Sequence, residues 1–422
     1  MTYKVVKLLE RIITSLSILA AALPSLGDEI GAEAPLFIVN SLEDVATTPS
    51  SLTGGSPSQT ASARPAGGSH GVLAPPFATA PTARPPLRGA MIGQLRTDGD
   101  WDTLASWGAK IVRHQIVCKG EGSAKNRAVY AAAWRRNFAK ELDRLEETLR
   151  QAGARGMRVC IDQHSFPGGG RVRDLPEEEA WGRDARMFHD PFYADLFVES
   201  WTNLAARVAP WRDVIYGYGL MNEPRQETPS PEGLDLHAIQ TRAARAIREI
   251  DPSTPIVVGS MHNDPGWFRK LQPIDLGNVI YEVHVYYPHN YTHQGILTPL
   301  ETVENWPDPA KGWDKAFLRK SLAPVLDFQR RHGARMLVGE FSAVTWAPNA
   351  EGYIRDCIEL FEEFGWDWCY HAYREARVWN VELESVRRGL GTDDFRPAAD
   401  TPRKRALLDG LKGVFASEEA AR

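Results

Sequence analysis

Residues 215–224 read IYGYGLMNEP and residues 336–342 read MLVGEFS. Each is an apolar, strand-like run that closes on a carboxylate, Glu223 in the first and Glu340 in the second. Such a placement costs free energy unless the carboxylate is paired or used, because removal from water disfavours its charge. Working outward, six more runs of the same kind appear. The full set is 88–92, 111–117, 158–163, 215–221, 255–259, 279–286, 335–341 and 367–373. Segments of helical periodicity lie between them at 101–107, 134–152, 192–208, 234–250, 267–271, 315–331 and 353–364, and a last one covers 403–414. Strand and helix in strict alternation define a parallel α/β architecture. Eight strands, each followed by a helix, predict a (β/α)8 TIM barrel as a single catalytic domain over 87–416. A doubly wound sheet would place a Gly-rich phosphate loop after its first strand. The residues there, GAMIGQLRTDGDW, carry no G-x-G-x-x-G fingerprint.

The chain has 422 residues, 43% of them hydrophobic, and a formal net charge of -5 with both signs mixed throughout. That balance argues against nucleic acid or an anionic membrane as partner and leaves a neutral ligand, with a monomer expected. Lys4, Lys7 and Arg11 precede an apolar run of about twelve residues that stops at Pro24, which is signal-peptide length and short of the roughly twenty residues needed to span a bilayer. Residues 1–27 are therefore expected to be a signal peptide and the protein secreted or periplasmic. Residues 28–86 become rich in Pro, Ser, Ala and Gly and read as a disordered linker. Residues 417–422 are a tail. The four cysteines, Cys118, Cys160, Cys357 and Cys369, form no CxxC pair and read as small core residues, with a Cys118–Cys160 bridge left open for an exported protein.

A TIM barrel builds its active site at the C-terminal ends of its strands. The polar residues there are Arg113, His114, His164, Asn222, Glu223, His284, Tyr286 and Glu340. Strands four and seven lie on opposing parts of the ring, so Glu223 and Glu340 can face each other across a substrate. Glycosidic cleavage needs that pair: one carboxylic acid protonates the leaving oxygen, while the other attacks at about 5 to 5.5 Å separation or activates water at about 6.5 to 9.5 Å. Sequence does not choose between the two separations.

Taken in order, IVRHQI, CIDQHSFPGG, LMNEP, YEVHVYYP and LVGEFS resemble glycoside hydrolase family 5, the cellulase-type retaining β-glycosidases. The resemblance implies Glu223 as acid/base and Glu340 as nucleophile. It implies substrate-binding or supporting roles for Arg113, His164, Asn222, His284 and Tyr286. The implied reaction is hydrolysis of O-glycosyl bonds in a β-linked oligo- or polysaccharide, foremost as an endo-β-1,4-glucanase. An exo-acting β-glucosidase or β-1,3-glucanase, a β-mannanase, and a non-catalytic carbohydrate-binding protein are the alternatives. One departure stands out: the tryptophan that the family sets at the end of strand eight is missing from WDWCYHAYREARVW, where Tyr370, His371 and Tyr373 compete for the place and Trp379 follows.

Singly, Arg113, His164 and Tyr286 could each be structural, but in register with two glutamates they point to catalysis. His284, His289 and His293, with the D-x-H of Asp162 and His164, have metal-ligand chemistry. There is no H-E-x-x-H, and neither metal nor cofactor is expected. No G-x-S-x-G elbow marks a serine esterase. Trp181, Trp306, Trp313 and Trp346 fall in the loops as candidate sugar platforms.

Overall fold

All eight strand-like runs are strands in the computed structural model of the protein, which describes residues 84–93, 97–120, 126–169 and 184–415. They are β1 (Arg88–Ile92), β2 (Ile111–Gln115), β3 (Arg158–Asp162), β4 (Ile215–Gly219), β5 (Ile256–Gly259), β6 (Val279–Val285), β7 (Arg335–Phe341) and β8 (Asp367–Tyr373). They pair in parallel in that order and close β8 onto β1, giving the expected (β/α)8 barrel. The segments read as signal peptide and tail, and nearly all of the linker, lie outside the described residues.

The helices are α1 (Asp98–Ser106), α2 (Arg127–Ala154), α3 (Pro191–Val208), α4 (Leu236–Arg248), α5 (His289–Thr292), α6 (Lys315–Ser321), α7 (Ala323–His332), α8 (Ala350–Phe364) and α9 (Pro402–Leu411). The run 315–331, read as one helix, breaks at Leu322 into α6 and α7. Pro324 is the cause, since its ring lacks an N–H and collides with the preceding turn. The short segment at 267–271 is a 3-10 turn, Pro265–Arg269. Sequence periodicity did not reveal the hairpin of β9 (Leu383–Ser385) and β10 (Phe395–Pro397), whose three-residue strands are too short to show a pattern. Among the described residues no helix is long and apolar enough to cross a membrane.

Two apolar layers hold the barrel. The larger lies between strands and helices; the smaller fills the barrel's interior with Ile111, Cys160, Tyr216, Val257, Ile280, Leu337 and Cys369, with Leu87 packed against it. All four cysteines are free and buried, so the Cys118–Cys160 bridge does not form. Burial pushes the Cys160 thiol well above its ordinary pKa, which makes it an inert filler. Because strand side chains repeat every second residue, one step along β2, β3, β6, β7 and β8 exchanges this apolar layer for Arg113, Asp162, Glu282, Gly339 and His371. The interior thus turns from oily to charged within one layer.

Beneath the oily layer, Asp367 closes the opposite mouth. Its carboxylate accepts hydrogen bonds from both terminal nitrogens of Arg84 at 2.9 and 2.6 Å, from the Leu87 amide at 2.7 Å and from the Tyr216 hydroxyl at 2.7 Å. Asp367→Ala leaves those donors without a partner in a buried setting. Urea unfolding is expected to show a loss of about 2–4 kcal/mol, with the kcat of the folded fraction unchanged.

Candidate active site

Arg113 on β2 is fully buried, and its guanidinium organises the floor of the mouth. Nη1 donates to Glu340 Oε1 at 2.9 Å, Nη2 donates to Asn222 Oδ1 at 2.9 Å and lies 3.1 Å from Asp162 Oδ1. Nε sits 2.8 Å from Glu282 Oε1, a charge contact rather than an aligned hydrogen bond. Burial opposes the charge, but Asp162, Glu282 and Glu340 together keep Arg113 firmly cationic. Asp162 also takes His164 Nδ1 at 2.8 Å, which fixes that imidazole beside the Asn222 amide.

Glu340 reaches this arginine through a bulge. The β6–β7 register passes from Val283 opposite Val338 to His284 opposite Glu340, so Gly339 is an extra residue. That bulge turns Glu340 inward where plain alternation would have turned it out. A Cβ on Gly339 would fall 1.7 Å from Glu282 Oε1, so only glycine leaves room for the second carboxylate. Tyr286 donates its hydroxyl to Glu340 Oε2 at 2.9 Å. Burial raises the Glu340 pKa, yet His284, His371, Arg113 and His164 outweigh it and hold the carboxyl well below 4.5.

Glu223 follows β4 in a left-handed conformation, φ 44°, immediately before Pro224. A non-glycine residue there stores roughly 1–3 kcal/mol of strain, a common mark of a functional position. Its Oε1 lies 2.8 Å from His284 Nδ1, while Nε2 of that ring meets the Asn263 amide at 3.2 Å and Glu282 at 3.3 Å. Burial would lower the His284 pKa, but Glu340, Glu223 and Glu282 push it up to about 10. One oxygen of Glu223, one of Glu340 and one His284 nitrogen lie within 4.8 Å of one another. Three such ligand atoms could also suit a cation, but Arg113 and the charged His284 already supply the positive charge to these carboxylates.

The end of β8 now has an occupant. Tyr370 faces outward, bonded to Ser342 and the Trp379 carbonyl, and Tyr373 packs edge-on to Trp107. His371 alone of the three turns to the glutamates, with Nδ1 2.5 Å from the Tyr286 hydroxyl and 3.5 Å from Glu340 Oε2. Trp379 is buried behind it, 5.9 Å away between ring centroids.

Every residue expected at the site from sequence converges here except His114, which points to α2 and meets Thr148 Oγ1 at 3.1 Å. Burial and Arg144 push the His114 pKa down to about 4. His289 and His293 do not join His284 on a common point: His289 lies tilted against Tyr287, and His293 meets Tyr286 and Trp379 edge-on. Trp306 is core, wedged between Tyr291 and Tyr353, so it is no sugar platform. Trp313 and Trp346 are half-buried, and Trp181 lies outside the described residues. Glu282 and Glu375 went unnoticed in the sequence. Glu282 had a signal, a carboxylate two residues before His284 in an otherwise apolar strand and hence on the same face.

A parallel barrel whose mouth presents two such close carboxylates is built for acid–base and nucleophilic attack on a glycosidic bond, the work of a glycoside hydrolase. Comparison with known sequences agrees: the chain belongs to the cellulase family, glycosyl hydrolase family 5, whose profile matches residues 80–376. Endoglucanase C of Acetivibrio thermocellus is 26% identical over 266 residues, covering 55% of this chain and 73% of that protein. Cellodextrinase A of Ruminococcus flavefaciens is 24% identical over 254 residues, covering 58% and 68%. In fold, Thermotoga maritima Cel5A with cellobiose superposes at a TM-score of 0.56 and 19% identity over 77% of this chain and 96% of its own.

Arg113→Met would leave Asp162, Glu282 and Glu340 buried around an uncharged side chain. The expected cost in urea unfolding is about 3–5 kcal/mol, and a cost under about 1 kcal/mol would show that the three carboxylates do not depend on it.

Proposed function

We propose that the chain hydrolyses internal β-1,4 bonds of a glucan by double displacement with retention, Glu340 acting as nucleophile and Glu223 as acid/base. The observation that carries this reading is the approach of one Glu223 oxygen and one Glu340 oxygen to within 4.8 Å. That approach favours direct attack, which needs carboxyls about 5–5.5 Å apart, over inversion, which places a water between carboxyls about 6.5–9.5 Å apart.

The surroundings support the division of roles. Glu340 is held anionic by Arg113 and accepts a hydrogen bond from the Tyr286 hydroxyl at Oε2, an environment that suits a nucleophile. It attacks the anomeric carbon while Glu223 protonates the departing glycosidic oxygen, and a glycosyl ester forms as the C–O bond breaks. His284 Nδ1, 2.8 Å from Glu223 Oε1, stabilises the carboxylate left behind. Glu223 then takes a proton from water, which attacks the same carbon, releases Glu340 and yields the β-anomer. Asn222, held by Arg113, is placed to bond the sugar 2-hydroxyl, and His164 lies beside it in the same subsite. The likeness to Endoglucanase C supports internal attack on a glucan over exo action.

Residues 1–27 and 28–86 support export followed by a linker, with 87–416 as the catalytic domain. Amino-terminal sequencing of protein recovered outside the cell should begin beyond residue 27; an intact Met1 there contradicts a cleaved signal.

Glu340→Ala and Glu223→Ala are each expected to lose several orders of magnitude in kcat on a β-1,4-glucan. Added azide should then separate them, giving an α-glycosyl azide with Glu340→Ala and a β-glycosyl azide with Glu223→Ala. The reverse pattern exchanges the roles, and full activity in both variants removes the mechanism. Because Glu340 is held ionised, the acidic limb of kcat/KM should lie below pH 4.5. Activity is retained above that limb and lost as pH falls through it.

A further inference from the structure

We propose that His371, backed by Glu375, is a positioning residue for the nucleophile, and that its Nδ1–H directs the Tyr286 proton onto Glu340. The inference rests on Glu340 being the nucleophile. Its basis is the count of protons in a three-membered chain. Tyr286 Oη lies 2.9 Å from Glu340 Oε2 and 2.5 Å from His371 Nδ1, yet the phenol has only one proton to give. If Nδ1 were bare, the phenol would donate to the imidazole, and Glu340 would face an oxygen lone pair. With a proton on Nδ1 the chain runs one way: His371 Nδ1–H donates to Tyr286 Oη, and Tyr286 Oη–H donates to Glu340 Oε2. The nucleophile then gains a donor whose direction is set by a residue that does not touch its proton.

Glu375 supplies the reason for Nδ1 to be protonated. Its Oε2, buried and without a hydrogen-bond partner, lies 3.6 Å from His371 Nε2. The imidazole is thereby bracketed by two carboxylates, Glu340 on β7 and Glu375 just past β8, with Tyr286 from the β6 end and the Trp379 ring behind. Arg113 on β2 is the cation that opposes its charge. Burial lowers the His371 pKa, but Glu340 and Glu375 outweigh burial and Arg113, and the net direction is upward. The pair also occupies a built space: a Cβ on Gly93, past the end of β1, would fall 2.8 Å from the Glu375 Cγ.

Three variants separate the donor from the charge and from mere packing. His371→Phe keeps a ring but removes both nitrogens. It should lower kcat/KM about tenfold to a hundredfold, the range for one hydrogen bond feeding a charged group. It should also move the acidic limb upward by about one pH unit, because a cation near Glu340 is gone. His371→Asn puts an amide N–H close to the Nδ1 position and should recover part of the rate at its plateau while the limb stays displaced. Glu375→Gln removes the counter-charge and should move the limb the same way by less. A structural role alone would lower the rate at every pH and leave the limb in place. An unmoved limb in His371→Phe, or His371→Asn no better than His371→Phe, overturns the proposal.

A readout independent of turnover completes the test. Nitrogen NMR of histidine-labelled enzyme, with the His371 signal assigned by its loss in His371→Asn, should show Nδ1 carrying a proton at pH 6–8. A bare Nδ1 in the unaltered enzyme overturns the proposal, whatever the activity of Glu340→Ala. Retained activity in Glu340→Ala would instead remove the nucleophile assignment.

Discussion

The architecture of the mouth depends on one buried cation. Arg113 is surrounded by Asp162, Glu282 and Glu340 and carries no water-exposed surface. Placing a guanidinium there costs several kcal/mol in lost hydration, and placing any one of the carboxylates there alone would cost as much. Together they offset much of that cost, with His284 beside Glu282 and Glu340 as a further positive partner, and the closed sheet has already fixed their backbones, so little further entropy is lost. The arrangement is stiff for the same reason. Glu340 cannot swing away without stranding charge, Asn222 is bonded to the same guanidinium, and His164 is aimed by the same Asp162. A substrate meets donors and acceptors that are in place before it arrives, which is the condition for electrostatic stabilisation without reorganisation.

Much of the fold was legible because the strands of a parallel barrel are covered on both faces and so read as short apolar runs. The glutamates were legible because they interrupt such runs at the end that matters. Legibility failed where the backbone departs from period two. The bulge at Gly339 hides in an ordinary GEF, and only pairing against β6 reveals that it turns Glu340 inward. The end of β8 is similar: alternation from Cys369 leaves both His371 and Tyr373 as inward residues, and only the skip in the pairing with β1 between Tyr370 and Tyr373 accounts for Tyr373 turning to Trp107 instead. Trp306 failed differently, since a loop tryptophan reads the same in sequence whether it faces solvent or is enclosed by Tyr291 and Tyr353.

Glu223 and Glu340 resemble each other in sequence and differ in how they are held. Glu340 is fixed by the permanent charge of Arg113 at a strand bulge, and its own φ is not left-handed. Glu223 sits on a strained turn, φ 44°, and its partner His284 is a titratable group. In the proposed role of acid/base Glu223 gives up and regains a proton in each cycle, and a titratable partner suits that role better than an arginine. The strain at Glu223 is supported by the neighbouring strands and by Pro224, and is of the kind that stabilising selection alone would remove.

Asp367 fastens the chain where it enters the barrel, at the mouth opposite the glutamates. The two ends of the barrel are therefore secured by separate sets of charges, Asp367 with Arg84 at one and Arg113 with its carboxylates at the other. The closure of the sheet can be weakened or strengthened at the first without disturbing the glutamates at the second.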